Sequence, residues 1–378
     1  MSSPLSVNNS DVFGREGQLD IEDQKISTPN YIPTRSEFLN LQESPFVDKK
    51  DYRKINFGVY GYWLNDTIIK RISDKGKAYQ NIKNYINERI KIVETPIKML
   101  HFEFNSDVSR LNAQTLKLLL DLQVDVGANV LEIPNLPKQS NYKKSLEKAI
   151  EWKKANVDTH PLMGIAYEPS DVKILKSKLS QIDSIGIHIH SENLPLLYEI
   201  EETIRPLNVW THAFSVPRSY KKVNYKGTMG VFLNKFGVDT MSTYVATSEV
   251  ARNFSYTKEN KTDIEKQNDA RANKYFNPVD YSTTKYEFMN KTLNPEDTIE
   301  IKLSKYCSCP VCKKNTLRSI VSDYNATFQN TRSHEVLANI NESAIIKEKI
   351  KINEFDKYLS SKKFAYSLTQ RSQSKLQP

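Results

Sequence analysis

The chain contains three cysteines, and all of them fall in one short window, Tyr306-Cys-Ser-Cys-Pro-Val-Cys-Lys313. A disulfide framework would use an even number of cysteines spread along the chain, whereas here the count is odd and the cluster tight. A Cys-x-Cys-x-x-Cys turn can point three thiolates at one centre, and a tetrahedral zinc ion then needs a fourth ligand. His334 follows Cys312 after 21 intervening residues. The segment 317–330 between them can form a helix that brings the imidazole back. Pro310 supplies a turn, and the flanking Lys313 and Lys314 suit a thiolate cluster. A redox-active thiol set and chance clustering are the other uses of such a window. The reading adopted is one structural zinc ion held by Cys307, Cys309, Cys312 and His334. Four protein ligands leave no open coordination position, so this ion would stabilise the fold and perform no chemistry.

Elements that could position other chemistry begin near residue 55. Apolar, β-rich runs occur at 55–60, 97–104, 129–133, 162–167, 185–189, 209–214 and 238–241. Helical stretches lie between them, the clearest at 113–123 with one apolar face, then 144–154, 172–179, 193–200 and 230–236. Strands alternating with helices imply parallel βαβ units, and seven or eight such units point to a (β/α)₈ barrel. The polar first 50 residues carry two short strand candidates, 14–21 and 26–33, the second limited to edge positions by Pro29 and Pro33. The resulting layout has four parts. Residues 1–50 form an N-terminal extension and strand cap. Residues 51–300 form the barrel with a polar insertion at 253–300, and 301–360 a zinc-binding helical subdomain. Residues 361–378 form a flexible tail. The insertion reads as a loop or lid, or as a solvated excursion whose tyrosines and lysines could touch a nucleic acid.

Bulk properties narrow the partners. Lys and Arg outnumber Asp and Glu by 54 to 45, giving a net charge of +9 and a pI near 9.1. That balance favours polyanions such as nucleic acid, and it equally fits a lysine-rich solvated surface. Mean hydropathy is −0.58, no apolar run is long enough to span a bilayer, and the first residues lack a secretory apolar core. The expectation is therefore a cytoplasmic chain with no membrane partner.

Several segments together resemble one family, the tRNA-guanine transglycosylases. Gly14-Arg-Glu-Gly-Gln-Leu and Ser27-Thr-Pro-Asn-Tyr-Ile-Pro look like the family's opening strands. Val124-Asp-Val-Gly-Ala-Asn129 is similar to its Leu-Gly-Ala-Asp strand entry, and the segment 206–214 to the strand before its phosphate-side loop. Phe236-Gly-Val-Asp-Thr-Met-Ser242 resembles its Leu-Gly-Val-Asp-x-Phe-Asp segment. Cys307-Ser-Cys-Pro-Val-Cys312 with His334 matches its zinc signature. The resemblance covers most of the chain and implies a (β/α)₈ barrel with a zinc-binding insertion near the C-terminus. It also implies exchange of a guanine in nucleic acid for a 7-deazaguanine.

That chemistry uses one carboxylate as nucleophile on the ribose C1′, a second as acid/base and a third for base recognition. The positions that match here are Ser242 for the nucleophile, Leu100 for the acid/base and Asn135 for base recognition. None is a carboxylate. Asp239, three residues before Ser242, reads as structural. His188 is a candidate substrate contact, and it shares a strand face with His190. Glu103, Asp107 and Glu132 lie near strand ends, where barrel enzymes keep their chemistry. For these, and for His101, Trp210 and His212, a core or surface role is the plainer reading. The resemblance thus implies a zinc-stabilised homologue without base exchange. It would bind nucleic acid, tRNA or else DNA, as a homodimer or as the partner of a catalytic transglycosylase. An active divergent transglycosylase and a structural zinc barrel with no nucleic-acid role are the alternatives.

Overall fold

The computed structural model describes residues 4–10, 14–73, 76–137, 141–156, 158–189, 194–217, 220–222, 225–227, 230–243, 274–285, 302–316, 319–320 and 324–363. Strands in chain order are β1 (Leu5–Ser10), β2 (Arg15–Ile21), β3 (Gln24–Thr28), β4 (Asn30–Tyr31), β5 (Phe57–Leu64), β6 (Ile97–Phe104), β7 (Leu131–Ile133) and β8 (Leu162–Ala166). They continue as β9 (Ser184–His188), β10 (Trp210–Val216), β11 (Tyr220–Lys222), β12 (Tyr225–Gly227), β13 (Thr240–Thr243), β14 (Lys274–Asn277) and β15 (Ser282–Lys285). Two compact units divide the chain. The first comprises Met1–Arg35, Ile55–Val216 and Leu233–Val245, and the second Ser36–Lys54, Pro217–Phe232 and Ala246–Pro378.

The first unit is a mixed α/β structure around a six-stranded parallel sheet of order β4-β13-β10-β9-β8-β7. β5 and β6 form a second parallel pair, in register from Phe57↔Ile97 to Leu64↔Phe104. Parallel bridges Thr34↔Val59 and Met99↔Val130 run from this pair toward the residues that follow β4 and precede β7. β8, β9 and β10 are buried at every position, as expected of parallel strands covered on both faces. Helices pack against the strands. The helix Ala113–Asp125 starts where the Asn112 side chain accepts the Thr115 N–H at 2.8 Å, and it buries Leu116, Leu119, Leu120 and Leu122. Pro169 opens the helix Pro169–Lys176, where Asp171 caps the backbone N–H groups of Tyr167 and Glu168.

Inside, Phe57, Val59, Ile97, Met99, Val130, Met163, Ile165, Trp210 and Phe214 pack with Leu5, Leu19, Ile21 and Ile26 of the antiparallel β1-β2-β3 sheet. Gly186 is a spacing requirement here: a Cβ on it would lie 2.6 Å from the Phe214 ring and 2.4 Å from Ile165. Arg15 of β2 is buried and forks onto Asp239, with Nε to Oδ1 at 2.8 Å and Nη2 to Oδ2 at 2.6 Å. Its remaining N–H groups reach the carbonyls of Arg205, Leu207, Val209 and Gly237. One side chain thus ties β2 to the entries of β10 and β13.

In the second unit β14 and β15 pair as an antiparallel hairpin, and β12 joins its edge at Gly227↔Ser282. The hairpin falls inside the stretch 253–300 that reads as a polar loop, the rest of which lies outside the described residues. Its burial of Tyr275, Phe276 and Tyr281 explains the difference: a few aromatics anchor a segment whose composition is otherwise polar. The helix Tyr324–Lys351 carries His334 directly. On it, Ser333 Oγ donates to the Asn40 carbonyl at 2.8 Å, and Asn330 Oδ1 accepts from Ser44 Oγ at 2.9 Å. A second helix, Phe355–Ser361, follows. Most of the expected tail lies outside the described residues. Among them, no helix is long and apolar enough to cross a membrane.

Removing one partner of a buried ion pair strands the other charge, at a cost of about 3–5 kcal/mol. Asp239→Asn should therefore lower unfolding free energy by that order in urea melts. A loss of less than ~0.5 kcal/mol would show that the Arg15 fork is not a structural clasp.

Candidate functional site

The cysteine window folds as a turn leading into the short helix Pro310–Lys314. Cys309 sits at its N-cap and accepts the Cys312 N–H at 3.5 Å, while the Cys309 N–H donates to Cys307 Sγ at 3.4 Å. His334 Nδ1 lies 3.4 Å from Cys309 Sγ and 3.2 Å from Cys312 Sγ. Thiolate and imidazole donors around one tetrahedral ion lie roughly 3.5 Å apart, given metal–S of ~2.3 Å and metal–N of ~2.0 Å. The four side chains are buried and converge closely enough to hold one metal ion. His334 Nε2 donates to the Phe276 carbonyl at 2.7 Å, which turns Nδ1 toward the sulfurs. The Tyr275 ring stacks on His334 at 4.4 Å. Hydrogen bonds with Cys309 and Cys312 hold the Cys307 thiol far below the usual thiol range, whereas Cys307 and Cys309 push Cys312 up. Without a cation the set ionises only in part; a divalent ion allows all three thiolates together.

A second constellation lies in the first unit. On β6 the side chains alternate, so His101 and Glu103 share one face and Leu100 points to the other. Leu100 is fully buried there, paired with Tyr60 of β5. His101 Nδ1 lies 2.6 Å from Glu132 Oε2, and its Nε2 lies 3.3 Å from Glu103 Oε1. His188 Nε2 lies 3.0 Å from Glu103 Oε2. Ser215 Oγ donates to Glu103 Oε1. Ser215 occupies φ +54°, and the β10–β13 register shifts between Ala213 and Val216. This irregularity aims the hydroxyl at the carboxylate. Phe214 stacks on His101 at 4.0 Å and Tyr167 on His188 at 4.9 Å.

Burial alone would depress His101, but the Glu132 and Glu103 carboxylates outweigh it and push the imidazole up to about 10. Burial opposes ionisation of Glu103, yet the His101 and His188 imidazoles hold it well below the usual carboxylate range. Burial pushes Glu132 up, and groups this close titrate as a set.

Ser242, the position matched to a nucleophile, is buried on β13 with its Oγ 3.2 Å from His212 Nε2. His212 Nδ1 lies 2.8 Å from Thr240 Oγ1. Burial, with His101 nearby, drives His212 well below its ordinary value. Asp239 is spent on Arg15 and on the Thr211 N–H at 2.8 Å. Asn135 is buried with its amide donating to the Ile165 carbonyl at 2.9 Å and its Oδ1 accepting the Leu136 N–H. Trp210 Nε1 donates to Thr240 Oγ1, and Asp107 accepts the Asp66 N–H. His190 lies outside the described residues. The structure thus gathers His101, Glu103, Glu132 and His188, and leaves Leu100, Asn135 and Asp239 in structural positions. Ser215, Tyr167, Tyr275 and Phe276 carry no sequence signal of these roles. No protein-family model matches the chain, and no curated protein matches it.

Cys309→Ala removes both a ligand and the cap of the short helix. One metal ion per chain should be lost and thermal unfolding should begin earlier, read by elemental analysis and calorimetry. Full metal content with unchanged melting would contradict the four-residue assignment.

Proposed function

We propose that this chain is a zinc-stabilised relative of the tRNA-guanine transglycosylases that has lost unaided base exchange. It acts as a cytoplasmic subunit that binds nucleic acid, tRNA in the first instance, as a homodimer or beside a catalytic transglycosylase. The barrel reading is supported by the two bridges beyond the ends of the six-stranded sheet, Thr34↔Val59 and Met99↔Val130, which lead to the β5–β6 pair. Eight parallel positions linked edge to edge would leave no open edge. Zinc is favoured at the Cys307, Cys309, Cys312 and His334 cluster because three soft thiolates and one imidazole in a closed set suit that ion.

The observation that carries the reading is the contrast between that intact cluster and the position matched to the nucleophile. Ser242 is buried against His212, and a serine adduct at C1′ would be an O-glycoside whose serine alkoxide is a poor leaving group. Leu100 cannot transfer a proton, and Asn135 can hydrogen-bond but supplies no charge. The net charge of +9 supports a polyanionic partner. A second reading, an active divergent transglycosylase, draws support from Glu103 and Glu132 meeting at His101.

Incubation with tRNA or duplex DNA and labelled guanine or 7-cyano-7-deazaguanine separates the two. The expected outcome is tRNA binding that weakens roughly tenfold or more between 50 and 200 mM salt, with no incorporation by the chain alone. Incorporation that disappears in Glu103→Gln would establish the active reading instead. Failure to bind at low salt would leave only the structural role.

A further inference from the structure

We infer that His101, Glu103 and His188 form a second metal site, one that takes a divalent first-row transition ion of the zinc or iron(II) class. The inference does not depend on the nucleic-acid reading. Each of the three residues offers a ligand atom, all within 4.8 Å of one another, and all three are buried. Donors bound at ~2.0–2.1 Å to a common ion, at tetrahedral or octahedral angles, lie roughly 2.8–3.4 Å apart. His188 Nε2 and His101 Nε2 lie 3.0 and 3.3 Å from the two Glu103 oxygens. These two separations fall in that range, and the third donor pair lies within 4.8 Å.

The surroundings are arranged as they are around metal ligands. His101 uses Nδ1 on Glu132, at 2.6 Å. A carboxylate behind a histidine fixes the tautomer and turns the opposite nitrogen toward an ion. Glu103 is itself held by Ser215, and the two imidazole planes are pinned by Phe214 and Tyr167. His101 Nε2 is buried and faces Glu103 Oε1 at 3.3 Å. A neutral His101 that donates Nδ1–H to Glu132 aims its Nε2 lone pair at a carboxylate oxygen. Two acceptors so placed, away from water, repel each other. A proton on Nε2, which the Glu132 and Glu103 carboxylates favour, is one way to relieve the repulsion. A cation between the three donors removes it with the donors where they stand. Two imidazoles and a carboxylate suit zinc, iron(II) or their neighbours, and three protein residues leave room for a further ligand.

The test counts ions in the full-length chain, purified without chelators or metal-affinity resin. Elemental analysis should give two transition ions per chain. His188→Ala and Glu103→Gln should each halve that number while keeping the ion at the cysteines. As a reading independent of either variant's folding, the unmodified chain is produced in cobalt-supplemented medium. Two Co²⁺ per chain are expected, only one of them contributing thiolate-to-cobalt charge-transfer absorption. A single ion per chain in the unmodified protein, all of it thiolate-bound, would overturn the site. So would two ions retained in full by both variants.

Discussion

Charge brought into a water-free interior must be matched on the spot, and this constraint fixes the positions of the other groups described here. Arg15 could not lie beneath β10 and β13 without Asp239, and its spare N–H groups would be costly without the four carbonyls they reach. Glu103 could not lie among Phe214, Tyr167 and their neighbours without two imidazoles and a hydroxyl. In the second unit three thiols and an imidazole are packed where water is excluded. In the first two places the matching partner comes from a distant part of the chain, so satisfying the charge also closes the fold. Asp239 and Arg15 are 224 residues apart, and Glu103 and Ser215 are 112 apart.

This is also why some features were legible in the sequence and others were not. The strands at 97–104, 162–167 and 185–189 could be read because β-branched and apolar runs announce buried strands without reference to the rest of the chain. The cysteine window could be read because three of its four donors lie within a few residues. The hairpin of β14 and β15 could not. Its strands are held by Tyr275, Phe276 and Tyr281 inside a polar composition, and Tyr275 and Phe276 are placed by their contacts with His334. Local patterning carries no trace of such a contact. Leu100 is a different case: the alternation of β6 turns it away from the face that carries His101 and Glu103. Ser215 had no signal at all, because its direction is set by a positive φ at an irregularity in β10.

Glycine and strain are placed where the polar cluster needs them. Gly186 leaves the volume that Phe214 fills, and Phe214 in turn lies flat against His101. One residue further on, the chain takes a conformation that costs an L-residue about 1–2 kcal/mol, and Ser215 turns toward Glu103. A strand of uniform geometry would alternate faces and send the residue after Phe214 away from that interior. The irregularity lets two successive residues, one packing on a histidine and one bonding a carboxylate, serve the same cluster.

The pair Ser242 and His212 has the outward form of a nucleophile and its base, and the geometry argues against that use. In such a constellation a carboxylate behind the histidine stabilises the imidazolium that forms when the hydroxyl proton is taken. Behind His212 stands Thr240, which supplies no charge. Burial and the nearby His101 depress the basicity of His212 still further. A proton moved from Ser242 to His212 would therefore create a buried ion pair with no carboxylate behind the imidazole. The carboxylates that could have helped, Glu103 and Glu132, are engaged with His101 instead. The first unit thus divides its polar interior into a neutral half, Thr240–His212–Ser242, and a charged half centred on Glu103. Only the charged half has the donors that call for a cation.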